Sequence, residues 1–95
     1  MKKGYVYILA NKRNGTLYTG ATSNLLARIS HHKKKLVKGF SEKYTTDILV
    51  YFEYHESLWD ALDRERKIKR WKRAWKLQLI ESLNPDWQDL YFSLT

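Results

Sequence analysis

The sequence predicts an α+β domain: a small, mostly antiparallel three-stranded sheet flanked by helices, in the order β-β-α-β-α-α. Three observations lead there. Two strand-like runs flank the dipeptide Asn14-Gly15, which is the strongest short-range signal for a hairpin. A nearly continuous apolar run, Ile48 to Tyr54, reads as a third strand. Two later stretches repeat apolar residues at helical spacing.

The elements follow in order. Residues 4–10, Gly-Tyr-Val-Tyr-Ile-Leu-Ala, are rich in β-branched and aromatic types and form the first strand. Residues 16–21 return as the second. A two-residue turn at Asn14-Gly15 would set Arg13 against Thr16, Asn11 against Tyr18 and Leu9 against Gly20. One side of the sheet then carries Val6, Ile8, Ala10, Leu17, Thr19 and Ala21, and the other carries Tyr5, Tyr7, Tyr18 and Gly20. Thr22 or Ser23 caps a helix running to about Lys35, with Leu25, Arg28, Ile29, His32 and Leu36 on one stripe. Residues 37–47 read as a loop. The third strand, from its apolar run, is expected at the centre of the sheet. Ser57 opens the next helix with Asp60 three residues on, a capping-box pattern. Its face carries Leu58, Ala61, Leu62, Glu65, Ile68 and Trp71. A last helix, with Trp75, Leu77, Leu79, Ile80 and Leu83, follows a break near Arg73 and ends at Asn84-Pro85. The tail from Asp86, with Trp87, Leu90, Tyr91 and Phe92, is expected to pack back on the body.

Length and composition bound the function. Residues 1–95 are read as one domain with a thin core. Lys and Arg number 18 against 10 acids, a net charge of +8, which draws the chain toward polyanions, nucleic acid before membrane surfaces. There is no cysteine, so disulfides and thiolate metal sites are excluded. The apolar run Val6 to Ala10 is too short for a signal peptide and meets Asn11-Lys12-Arg13 at once. No stretch approaches the roughly 20 apolar residues of a membrane span. A soluble, cytoplasmic protein is expected.

Two helices break their own apolar pattern. Glu65 sits in the apolar stripe of the second helix, where a lone carboxylate costs several kcal/mol unless it is paired or holds a metal. The plain alternative is an ion pair with a neighbouring arginine. Arg28 and His32, four residues apart, share a face of the first helix. Tyr7 and Tyr18 share a sheet face, though tyrosine is also an ordinary strand residue. Gly20 in a strand marks a bulge or a close approach. Two phenols, a guanidinium, an imidazole and a carboxylate form the set that metal-assisted phosphodiester cleavage requires. A second basic feature runs from Arg64 to Lys76: Arg64, Arg66, Lys67, Lys69, Arg70, Lys72, Arg73 and Lys76, with Trp71 and Trp75 between. Its cations are read as phosphate contacts. Its tryptophans are read as core.

These residues resemble a known family. Tyr5-Val6-Tyr7, then Tyr18-Thr19-Gly20, is similar to the paired motif of the GIY-YIG nuclease domain, and the likeness is greatest to its small stand-alone bacterial members, the UPF0213-like group. Leu25-Leu26-Ala27-Arg28, His32 and Ala61-Leu62-Asp63-Arg64-Glu65 resemble the family's helical motifs. Tyr5 and Thr19 stand where the family name has Gly and Ile, and Ala21 stands where some relatives carry Lys. The resemblance implies a Mg²⁺- or Mn²⁺-dependent endonuclease acting on DNA, with Glu65 on the metal and Arg28 on the scissile phosphate. Tyr7, Tyr18 and His32 would position or activate water. Gly20, Lys33, Arg64, Lys67, Lys69, Arg70, Lys72 and Arg73 would lie along the DNA. Asn84 is the candidate for a further asparagine near the metal. Repair or recombination is the expected setting, as a monomer or weak dimer with room for a protein partner. The rival is a non-catalytic nucleic-acid-binding module on the same fold.

Overall fold

The computed structural model describes residues 2–34 and 46–94. Strands β1 (Gly4–Ala10) and β2 (Leu17–Thr22) come first, then helix α1 (Leu25–Lys34), strand β3 (Ile48–His55) and helices α2 (Leu58–Lys69) and α3 (Arg73–Leu83). A short 3₁₀ turn at Leu90–Ser93 follows. The expected element order holds. The helix end near Lys35, Leu36 and most of the loop expected over 37–47 lie outside the described residues.

The hairpin corrects the expected register by two residues. Tyr7 pairs with Gly20, Leu9 with Tyr18 and Ala10 with Leu17. The loop is four residues long, because Asn11 closes it: its carboxamide oxygen accepts from Thr16 N at 2.9 Å, and its own N–H reaches the Thr16 carbonyl at 3.3 Å. Asn14 takes the left-handed conformation, at φ 57°. A Cβ on Gly15 would sit 2.0 Å from the Asn11 oxygen, so glycine serves the loop here by its small size. Arg73 ties the loop to α3 through bonds of 2.8 and 2.6 Å to the Asn14 and Gly15 carbonyls. A slip of two leaves every side chain on its expected face, since the strand period is two.

The strand order is β2-β1-β3, all antiparallel, so β1 and not β3 is central. The continuous apolar run of β3 has another cause. Ile8 pairs with Tyr51 and Leu9 with Leu49, which leaves Val50 as the extra residue of a bulge. Across the bulge the faces exchange: Leu49 packs with Tyr7, Leu9, Leu25 and Ile29, whereas Val50 and Tyr51 pack with Val6, Ile8, Ala61, Ile68 and Ile80. Both sheet faces are therefore covered. The outer edge of β3 is covered too. Asn84 donates to the Val50 carbonyl at 3.0 Å, and Asp89 accepts from Leu49 N at 3.1 Å. The tail thus blocks an open sheet edge. Trp87 is buried and Tyr91 half-buried, as expected of the tail, but Phe92 is exposed.

The helix starts follow from local chemistry. Asn24, not Thr22 or Ser23, caps α1: its side chain accepts from Ala27 N at 3.1 Å, while the Thr22 hydroxyl accepts from Asn24 N. Ser57 caps α2 as expected, accepting from Trp59 N at 3.2 Å. Lys72 is extended, and that separates α2 from α3.

One polar cluster was not anticipated. Glu53 accepts from the Tyr51 hydroxyl at 2.6 Å, from Arg64 Nε at 3.0 Å, and pairs with His55 Nε2 at 2.6 Å. Burial acts to raise the Glu53 carboxyl, but these three hydrogen bonds and the Arg64 charge outweigh it and hold the group below its usual range. Burial, with the bond to Glu53, also pushes the Tyr51 phenol well above its ordinary range.

Two outcomes are expected. A Cβ on Gly20 would lie 2.5 Å from both Cζ and Oη of Tyr7, so Gly20→Ala should lower unfolding free energy by about 1–3 kcal/mol in urea titrations. For Glu53 the folded carboxyl is the stronger acid, so its contribution is present above the unfolded value, near pH 4.3, and is lost as pH falls through the folded one. Melting temperature between about pH 6 and pH 3 should therefore fall more steeply for wild type than for Glu53→Gln, which starts lower at neutral pH.

Candidate active site

The central strand sets the site. Tyr7 is buried, at 1% exposure, and its ring crosses toward β2 over Gly20. Tyr18, its neighbour on the outer strand, is 44% exposed. His32 comes in from α1 and completes an aromatic triangle. The ring centroids lie 6.3 Å apart for Tyr7 and Tyr18, 6.2 Å for Tyr7 and His32, and 5.5 Å for Tyr18 and His32. The four-residue spacing in α1 that carries His32 also carries Arg28, which borders a shallow groove of about 250 Å³ with Thr22, Asn24, Ala27 and His31.

Charge converges on Tyr7 from both sides. Burial raises its phenol first, and the Tyr18 hydroxyl and the Glu65 carboxylate raise it further, while the Arg28 guanidinium opposes them. The net effect lifts the phenol well above its ordinary range, so Tyr7 keeps its proton at neutral pH. Glu65 and Arg28, from different helices, are thus both within electrostatic reach of one hydroxyl. Glu65 is mostly buried, with its side chain 16% exposed. Its ion pair is with Lys69, one turn on, at 3.6 Å, and not with an arginine. A lysine at that distance, itself half exposed, leaves carboxylate capacity for another cation.

Among the described residues no three His, Cys, Asp or Glu side chains gather as a metal cage. One carboxylate beside phenols and a guanidinium does fit a hard cation that keeps most of its waters and takes remaining ligands from a phosphate.

The other expected residues divide. Gly20 is buried, and the close approach it permits is that of the Tyr7 ring. Lys33 is held inside the fold: Nζ donates to the Asp47 carbonyl at 2.9 Å and to Asp89 at 2.5 Å, and lies over the Tyr91 ring. Arg64 is bound to Glu53 and stacks on Trp71 at 5.0 Å. Lys67 pairs with Asp63 at 3.1 Å on the surface. Lys69 pairs with Glu65, and Arg73 holds the hairpin loop, yet both stay exposed. Arg70 and Lys72 are exposed, with no ion pair among the described residues. Asn84 spends its amide on the Val50 and Gln88 carbonyls, at 3.0 and 2.8 Å, and its oxygen on Gln88 N, so it is a structural clamp. Trp71 packs against the core, but Trp75 is half exposed, contrary to expectation.

Residues 3–78 match the model of the GIY-YIG catalytic domain. A UPF0213 protein of Staphylococcus haemolyticus is 44% identical over 85% of this chain and 98% of its own length. A UPF0213 protein of Clostridium perfringens is 46% identical over 82% of this chain and 83% of its own. The solution structure of a UPF0213 protein from Bacillus halodurans superposes with a TM-score of 0.58 at 28% identity, covering 92% of each chain. Among the described residues no helix is long and apolar enough to cross a membrane. With the paired tyrosine strands, the arginine helix and the glutamate helix in one arrangement, the chain belongs to the GIY-YIG family.

Proposed function

We propose that the protein is a Mg²⁺- or Mn²⁺-dependent endonuclease that hydrolyses phosphodiester bonds in DNA, in repair or recombination. The observation that carries this reading is the Tyr7–Tyr18–His32 triangle, with the charges of Glu65 and Arg28, from separate helices, both acting on Tyr7. A structural role alone gives no reason to bring a carboxylate and a guanidinium to a buried phenol from separate helices.

Each group has a task that its environment supports. Glu65 would hold the cation, which when bound supplies a Lewis acid for phosphate oxygens and eases deprotonation of water. Arg28, exposed on its groove, would neutralise charge on the scissile phosphate as it builds in the transition state. Burial holds the proton on Tyr7, which suits it to donate a hydrogen bond that orients the attacking water or the phosphate. The Tyr18–His32 edge of the triangle, where Tyr18 meets solvent, is the side open to an attacking water and so the place for proton acceptance. The +8 charge would bring the polyanionic substrate in.

Cleavage of labelled linear and branched DNA and RNA, with Mg²⁺, Mn²⁺ or EDTA, tests the reading. Metal-dependent cutting that Glu65→Ala abolishes without loss of binding supports it; binding without cutting on every substrate would favour a non-catalytic module. Arg28→Ala should lower kcat by roughly 10²–10³-fold, the usual cost of losing one transition-state charge partner. Tyr18→Phe and His32→Ala are compared by pH–rate profile. Loss of the profile's acidic limb, where the rate rises with pH as the base loses its proton, together with a drop of about 10²–10⁴-fold in one variant identifies the base, whereas Tyr7→Phe should leave that limb in place.

A further inference from the structure

Exposed aromatic residues gathered in one cleft mark a candidate binding site, unlike a singly exposed ring. Trp75 is 50% exposed on α3, one turn from Trp71. The two rings meet edge to face, with centroids 6.1 Å apart and planes at 79°. They form two walls of an open cleft of about 390 Å³, completed by Leu79 and by the polar rim residues Gln78 and Ser82. The cleft is apolar on its walls and cationic around them. Lys72 Nζ lies 5.9 Å from the centre of the Trp75 ring, and the Arg64 guanidinium lies 5.0 Å from that of Trp71. From residue 64 to residue 76 the chain carries eight Lys and Arg, and Glu65 is its only acid. Arg66, Arg70 and Lys72 have no ion pair among the described residues, and all three are exposed.

We propose that the Trp71–Trp75 cleft is a subsite for an unpaired nucleobase, so that the protein engages single-stranded nucleic acid, or a single-stranded flank, beside its catalytic centre. The proposal rests on the nucleic-acid reading above and extends it to a substrate class. Charge complementarity decides the occupant. A rim of like cations repels basic partners and selects an anionic one, and the phosphate backbone carries the densest regular array of negative charge. A polyanion is drawn to the same rim, with phosphates on Arg70 and Lys72 and a base on the indole. A duplex hides the faces of its bases within the stack, so stacking on Trp75 requires an unpaired one. The Gln78 carboxamide offers a donor and an acceptor to the edge of such a base.

The test uses the full chain in EDTA, which separates binding from cleavage. Fluorescence anisotropy is read with a labelled oligothymidylate of about twelve nucleotides, comparable to the reach of small single-strand sites, and with a duplex of equal length. Trp75→Ala should weaken the single strand roughly tenfold, the usual cost of one lost stacking partner, and the duplex by less than about twofold. Trp75→Phe should keep most of the affinity. Trp59→Ala, at an exposed tryptophan outside the cleft, should change neither. Unchanged single-strand affinity in Trp75→Ala, or equal loss on both probes, overturns the subsite. A wild type that cuts while Trp75→Ala binds normally removes the subsite and leaves the nuclease reading. A wild type whose single-strand binding depends on Trp75, but which cuts nothing with either metal, does the reverse.

Discussion

The close approach of Tyr7 to Gly20 is the constraint on which both fold and site depend. Tyr7 stands on the central strand and is buried, yet its phenol has to reach the outer strand to meet Tyr18 and His32. Its present path requires a cross-strand partner with no side chain, because a Cβ at residue 20 would lie 2.5 Å from both the Tyr7 hydroxyl and its ring carbon. The hairpin register is therefore tied to the chemistry. A slip of one residue would put Tyr7 opposite a side chain and turn the tyrosine face outward. The four-residue loop, closed by the Asn11 carboxamide and held by Arg73, fixes the register from the other end.

The second support is the tail. The bulge at Val50 gives β3 two buried faces but leaves its outer edge with unpaired backbone groups. Asn84 and Asp89 satisfy them, and Asp89 also anchors Lys33 from α1. One carboxylate thus links sheet edge, first helix and tail. Since α1 also presents Arg28 and His32, the tail indirectly sets the pose of two site residues. Trp87 adopts a left-handed conformation there, at φ 54°, a strain of about 1–2 kcal/mol that burial of its indole and the bond to Glu81 offset.

Much of this was legible in the residues and some was not, for physical reasons. Faces of β1 and β2 were readable because alternation survives any even slip in register. Loop length was not, because it depends on one side-chain amide folding back on the chain. The run Ile48–Tyr54 announced a strand buried on both faces, which is true, but the usual inference from such a run to a central strand failed. A bulge and a covering tail produce the same pattern at an edge. Glu65 stood out as a carboxylate in an apolar stripe; it is mostly buried, and its partner is Lys69 and not an arginine. Glu53 carried a similar signal, alternating with Tyr51 and His55, and was overlooked within the apolar run. Lys33 and Arg64 looked like their basic neighbours because composition does not reveal which cations find an internal acid.

That last distinction bears on how the surface works. The basic run is one block by charge but two groups by commitment. Arg64 is held by Glu53 and Trp71, and Lys69 by Glu65, so these cations help build the helix surface that carries the site. Arg66, Arg70 and Lys72 keep their charge for solvent or a ligand. Helix α2 packs on the Val6–Ile8 face of the sheet through Ala61 and Ile68, yet the charge of Glu65 is felt at Tyr7 on the other face. Groups from opposite faces can converge only where the sheet ends, and β2 is that edge. The site is therefore an edge site. The charges of Glu65 and Arg28 meet at Tyr7 beside the strand that leaves Tyr18 exposed.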